Sequence, residues 1–224
     1  MKRQKTIGKE VRLRKLTYLT PEKLRSLMNV ADSIVIGEIP GDFLEFGVAL
    51  GGSGICLASR LETDRRYLGF DVFGMIPPPS EADGEKVGKR YEQISAGHSK
   101  GIEGDPYYGY VENLQDKVAG SFREMGFPVD GERVLLVKGL FEDTVKAHPD
   151  VKIALAHVDC DWYDSVKCCL EYIWPRLSEG GQVIMDDYNF WEGARRATDE
   201  FLVGRSDAKI LRRQPQVVLL KAFS

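Results

Sequence analysis

Two short apolar runs, each ending in a pair of acids, constrain this chain more than anything else in it. Ile153-Ala-Leu-Ala-His-Val158 leads into Asp159-Cys160-Asp161-Trp162-Tyr163, and Gln182-Val-Ile-Met185 leads into Asp186-Asp187-Tyr188. Continuous apolar stretches of this length suit strands buried on both faces of a parallel sheet. Side by side, such strands would bring four carboxylates to one sheet edge. Four like charges there repel unless a cation or a shared proton lies between them. The chemistry of the chain is expected at that edge.

An earlier stretch has the grammar of a βαβ unit. Asp42-Phe-Leu-Glu-Phe46 reads as a strand, Gly51-Gly52-Ser53 opens an apolar helix through Leu61, and Tyr67-Leu-Gly-Phe70 reads as a second strand ending at Asp71. Upstream, Thr20 as N-cap, Pro21 and Lys23 start a helix that runs to about Ile36. Downstream, helices are expected around Tyr110–Met125, at Gly139–Ala147 and at Trp191–Leu202, with Asp164-Ser165 capping another that ends near Leu177. Gly180-Gly181 should break the chain before the Asp186 strand. Arg133–Val137 reads as a further strand, and Ala208–Arg213 with Gln216–Phe223 as a terminal antiparallel hairpin. The proline- and glycine-rich span of residues 73–108, with Pro77-Pro78-Pro79, reads as a lid or substrate loop inside one domain covering 20–224.

Bulk composition narrows the partners. A net charge of -3 gives no global footprint for nucleic acid. No apolar run is long enough for a membrane span. Cys56, Cys160, Cys168 and Cys169 lack metal-ligand spacing and read as free thiols of a reducing cytoplasm. Residues 1–19 carry seven lysines and arginines before Thr17 and read as a solvated basic arm. With nucleic acid and membrane disfavoured, the expected partner is a small molecule, with a homo-oligomer the one macromolecular assembly left open.

The glycine turn after Glu45 and Gly47 lets a ligand approach the main chain and the free N–H groups of a helix start. Asp71, at the next strand end, suits a bidentate bond to ribose hydroxyls. The glycines do not spell G-x-G-x-x-G and no P-loop lysine follows, so pyrophosphate is disfavoured. Adenosine joined to a cationic amino-acid portion fits better, which is the make-up of S-adenosylmethionine. Carboxylates alone suit Mg²⁺ or another hard divalent ion rather than zinc. Strand alternation would place Asp159 and Asp161 on one face, one as ligand and one as base, with Asp186 and Asp187 adding ligands. His157, inside its apolar run, reads as a packed core residue.

Several of these motifs, in this order, resemble one family. Phe43-Leu-Glu-Phe-Gly-Val48 with Gly51-Gly52-Ser53, Gly69-Phe-Asp-Val-Phe73, Gly139-Leu-Phe-Glu-Asp-Thr144, His157-Val-Asp-Cys-Asp-Trp-Tyr163 and Gly180-Gly-Gln-Val-Ile-Met-Asp-Asp-Tyr188 are similar to the macrocin O-methyltransferases. The resemblance implies a Rossmann-like class I methyltransferase fold, α/β, with a seven-stranded, mostly parallel sheet and helices on both faces. It implies S-adenosylmethionine and Mg²⁺ as cofactors and methylation of a sugar or phenol hydroxyl. It also implies Asp159, Asp186 and Asp187 as metal ligands, Asp161 as general base, and Glu45, Gly47, Gly51, Ser53, Asp71, Gly139 and Phe141 against the cofactor. Two other readings stand beside it: a metal-dependent glycosyltransferase using Asp159-Cys160-Asp161, and a non-catalytic S-adenosylmethionine-binding module.

Overall fold

The computed structural model describes residues 2–62 and 64–223, with side chains from Thr6 onward. Seven strands form one sheet: β1 (Asp42–Phe46), β2 (Tyr67–Asp71), β3 (Val134–Lys138), β4 (Ile153–Val158), β5 (Leu177–Met185), β6 (Ala208–Arg212) and β7 (Val217–Lys221). Their order across the sheet is β3-β2-β1-β4-β5-β7-β6. The first five are mutually parallel, and β7 runs antiparallel between β5 and β6.

The helices are α1 (Lys2–Leu13), α2 (Pro21–Ile36), α3 (Gly52–Ala58), α4 (Glu85–Ser95), α5 (Leu114–Glu124), α6 (Phe141–Thr144), α7 (Tyr163–Arg176) and α8 (Glu192–Leu202). Those that cover the sheet divide between its two faces, because strand residues alternate between two buried clusters. Phe43, Tyr67 and Ile184 pack with residues of α1, α2, α3 and α5. Leu44, Phe46, Phe70 and Met185 pack with residues of α7 and α8. Every residue of β1 and β4 is buried. Apolar cover on both faces explains why these strands read as unbroken runs.

The start of the chain is not a solvated arm. Val11 is fully buried and Ile7 nearly so within the first cluster, and Leu16 O accepts a 2.8 Å bond from Gly52 N. An amphipathic pattern hidden among basic residues docks α1 against α3, while Arg14 and Lys15 reach Glu124 and the Glu103/Asp105 pair. Gly180-Gly181 is a second correction, since both lie within β5 rather than before it. The third concerns α7. Neither Asp164 nor Ser165 caps it; Asp83 Oδ1, from residues 73–108, accepts Tyr163 N at 2.5 Å. All four cysteines are free thiols. Among the described residues no helix is long and apolar enough to cross a membrane.

Candidate functional site

Parallel pairing continues one residue past the strands and lines up their ends. Gly47 N donates to Phe70 O, Asp159 N to Phe46 O and Asp186 N to Val158 O, each at 2.9 Å, and Gly139 N donates to Asp71 O at 3.0 Å. The sheet order reverses between β1 and β4, so these residues rim the crevice where open α/β sheets bind ligands. Close approach is obligatory at Gly47. Its φ is +94°, and a Cβ there would stand 1.9 Å from Asp159 O.

A cavity of about 510 Å³ opens over this edge. Gly47, Asp71, Phe141, Asp159 and Asp161 are on its wall, with residues 76–80 above and Trp162 and Tyr108 beside them. The roof is docked rather than loose. Trp162 Nε1 donates to Pro77 O at 3.0 Å, and Asp83 also accepts Ser80 N at 3.0 Å in a capping box. Gly51, Ser53 and Gly139, expected against the cofactor, are not on the cavity wall: Gly51 caps α3, Ser53 is buried within that helix, and Gly139 follows β3.

Asp71 holds the glycine turn together. Its Oδ2 accepts Val48 N and Ala49 N at 2.8 and 2.9 Å, and its Oδ1 accepts Phe73 N at 2.6 Å. A carboxylate has about four lone-pair sites. Three are taken, so Asp71 can offer a ribose one further bond at Oδ1, not the bidentate pair expected from its position.

Glu45 needs a larger correction. It is wholly buried, with Oε2 accepting the Tyr67 hydroxyl and Oε1 lying 2.9 Å from His157 Nδ1. Both oxygens are engaged beneath the floor of the crevice, so Glu45 does not face the cofactor cavity. His157 in turn is more than packing. Its Nε2 points toward Asp186 Oδ1 at 3.8 Å, and Gln216 Nε2 donates to the same oxygen at 2.6 Å.

Asp159, Asp186 and Asp187 each offer an oxygen within 4.8 Å of the others. Their adjacency follows from register, since Val158 pairs with Met185 one step before. Burial and mutual repulsion hold Asp159 and Asp187 well above the usual carboxylate range. Asp186 goes the other way, down to about 2: the nearby His157 imidazole and the bond and charge of Lys23 outweigh its burial. Crowded carboxylates that offer only hard oxygens fit a hard divalent cation.

Asp161 reaches the site by a route other than strand alternation. β4 ends at Val158, and Asp161 adopts left-handed backbone with φ +52°. Its N–H donates to Asp187 Oδ2 at 3.2 Å, turning its side chain to the cavity wall. Burial and the charge of Asp186, set against hydrogen bonds with Trp191 and Asp187, leave its carboxyl pushed up to about 6. That suits proton transfer near neutrality.

Three participants escape a sequence reading. Lys23 Nζ is 2.5 Å from Asp186 Oδ2, yet locally it marks only the first turn of α2, where Thr20 accepts its N–H. Gln216 immediately precedes β7, and Asp83 comes from the roof. Each is brought in by tertiary contact, with no spacing to announce it.

Solved structures place this architecture in the class I methyltransferase fold. The O-methyltransferase NovP superposes with a TM-score of 0.75 at 24% identity, over 93% of this chain and 83% of its own. The profile of the macrocin O-methyltransferase (TylF) family matches residues 2–212, and the chain belongs to that family. Among curated relatives, the 8-demethyl-8-(2,3-dimethoxy-alpha-L-rhamnosyl)-tetracenomycin-C 4'-O-methyltransferase of Streptomyces olivaceus is 31% identical over 77% of this chain. The demethyldecarbamoylnovobiocin O-methyltransferase of Streptomyces niveus is 28% identical over 83% of it. The chain spans 62% and 67% of those two proteins.

Proposed function

We propose that this chain transfers a methyl group from S-adenosylmethionine to a hydroxyl of a small natural product, a sugar or a phenol, with a divalent metal on Asp159, Asp186 and Asp187. The observation that carries the reading is the carboxylate triad, within 4.8 Å at the β4–β5 edge and contiguous with the cavity over the glycine turn. Membership of the macrocin O-methyltransferase family supports it and leaves the glycosyltransferase reading without support. The names of the two curated relatives suggest the acceptor class.

Gly47 and the turn held by Asp71 seat the donor, with one remaining acceptor site on Asp71 Oδ1 for a ribose hydroxyl. Phe141 and the apolar wall suit the adenine end, with Gly51, Ser53 and Gly139 shaping the main chain behind it. A hard divalent ion on the triad would fix an acceptor hydroxyl and lower its pKa. Asp161, on the same wall, takes the proton. The oxygen then attacks the sulfonium methyl, whose C–S bond breaks as the new C–O bond forms; positioning supplies much of the acceleration. Residues 76–80 close the cavity over the reacting groups.

Thermal shift with S-adenosylmethionine, its demethylated product, NAD and nucleotide sugars, each with Mg²⁺ or chelator, tests the ligand class. Stabilisation by the first two alone is expected; a response confined to nucleotide sugars would overturn the reading. Once a screen gives an acceptor, Asp161→Asn should lower kcat by ~10² to 10⁴, the usual share of a general base. Its donor affinity should stay within about threefold. Equal loss of both would make Asp161 a structural acid.

A further inference from the structure

Both oxygens of Asp186 are already occupied by protein groups. Oδ1 faces Gln216 and His157, which are wholly buried. Oδ2 faces Lys23 Nζ at 2.5 Å, and the lysine side chain, 12% exposed, enters from the first turn of α2. The same ammonium donates to Asp186 O at 3.1 Å and attracts Asp187 and Asp159. The cation closest to the triad is therefore one the chain itself supplies.

We propose that Lys23 is the displaceable counter-ion of the acidic centre, neutralising it in the metal-free protein and releasing Asp186 Oδ2 when a divalent ion binds. The proposal rests on the metal reading of the triad. A divalent ion and an ammonium on neighbouring carboxylate oxygens repel strongly in a partly desolvated site. Oδ1 is turned into the sheet interior, so the ion must compete for Oδ2. Lysine suits the exchange, since its ammonium is a point charge on a flexible four-carbon stem. The Phe190 ring, 65% exposed, already flanks the ammonium in this position, its centroid 5.0 Å from Lys23 Nζ, and offers an aromatic face beside which a displaced lysine can stay. Metal loading thereby frees a side chain of the helix that packs over β4 and β5. The intrinsic affinity of the triad is set lower than three carboxylates alone would give.

Mn²⁺ binding, followed by the paramagnetic resonance of the free ion at neutral pH, reads this without any turnover. Lys23→Met should bind Mn²⁺ at least tenfold more tightly than the native protein. Equal or weaker binding by a variant with native circular dichroism would overturn the proposal. If Lys23→Met does not fold, the native protein still decides the matter. Mass-spectrometric acetylation of Lys23 should be slow with chelator and rise several-fold in saturating Mg²⁺. Unchanged labelling in saturating Mg²⁺ would refute displacement. Binding of Mn²⁺ by neither form would instead bring down the metal reading, and this proposal with it.

Discussion

At the ends of β4 and β5 the acids ride on main chain that is hydrogen-bonded on both sides and buried on both faces. Over that edge, residues 73–108 run through prolines, glycines and one amphipathic helix, and are held by a few side-chain bonds such as Asp83 to Tyr163 N and Trp162 to Pro77 O. A dense ladder fixes carboxylates to within the tolerance that metal binding and proton transfer require. A segment tied at a few points can change its lining without disturbing the sheet. On the proposed function, the contrast predicts that reaction geometry belongs to the edge and choice of acceptor to the roof.

The sharpest way to break that division is at Gly47. Gly47→Ala must drive a Cβ into Asp159 O, 1.9 Å away, from a backbone with φ +94°. The β1 and β4 ends would have to part, at a cost of about 5 kcal/mol or more, in the range that marks a specific structural fault. Calorimetry should show a melting temperature lower by ~10 °C or more, and donor binding should vanish. A folded Gly47→Ala protein with normal donor affinity would show that the edge is softer than its ladder implies.

Beneath the edge, Glu45 is the next test. Glu45→Leu strands the Tyr67 hydroxyl and His157 Nδ1 in the sheet interior without an acceptor. Removing one member of a buried pair typically costs about 3–5 kcal/mol, or roughly 10 °C here. Normal stability would mean that water replaces the carboxylate and that His157 is not held toward Asp186.

Most of the parallel sheet could be read from the chain, because strands buried on both faces must be apolar and their ends must turn. The triad was legible for the same reason: Asp159 and Asp186 follow such runs directly, and register did the rest. Glu45 misled because its place before the glycine turn is shared by cofactor-binding and core residues, and only burial separates them. Lys23, Gln216 and Asp83 were hidden for a different reason. Each acts on a partner at least 30 residues away in sequence, through a side chain whose local pattern reports only a helix start, a strand start or a loop.

A titration of stability examines the charge balance of the edge. Asp161, raised to about 6 by burial and by Asp186, lies above an unfolded carboxyl near 3.9. Its contribution is complete below about pH 4 and is lost as pH rises through 6. Asp159 and Asp187, raised further, extend the loss to higher pH. His157 acts in the same sense. Burial alone would lower it, but the nearby Asp186 carboxylate, the bond to Glu45 and the charge of Asp159 carry it to about 10, so its contribution fades as pH rises from roughly 6.5 through that value. Asp186, at about 2, loses its contribution only in stronger acid. Without metal, stability should therefore fall by at least about 1 kcal/mol between pH 5 and pH 8, the share of Asp161 alone discounted for its cavity-facing surface. Thermal melts in chelator measure it, Asp161→Asn should flatten the acidic part, and Mg²⁺ should offset the loss at pH 8. Rising stability over that interval would contradict the assigned repulsion.

The smallest effect belongs to the roof and is the most selective. Trp162→Phe keeps an aromatic ring against Trp191, whose centroid is 6.1 Å away, but deletes the bond to Pro77 O. One lost neutral hydrogen bond is worth about 1 kcal/mol, a few degrees at most in melting temperature. Its consequence should fall on the ligand the roof governs. KM for the acceptor should rise about fivefold, the factor that ~1 kcal/mol gives, while kcat and the Kd of S-adenosylmethionine stay within about twofold. A matching change in donor Kd would show that the roof clamps both ligands, and acceptor choice would then have to be sought along the edge itself.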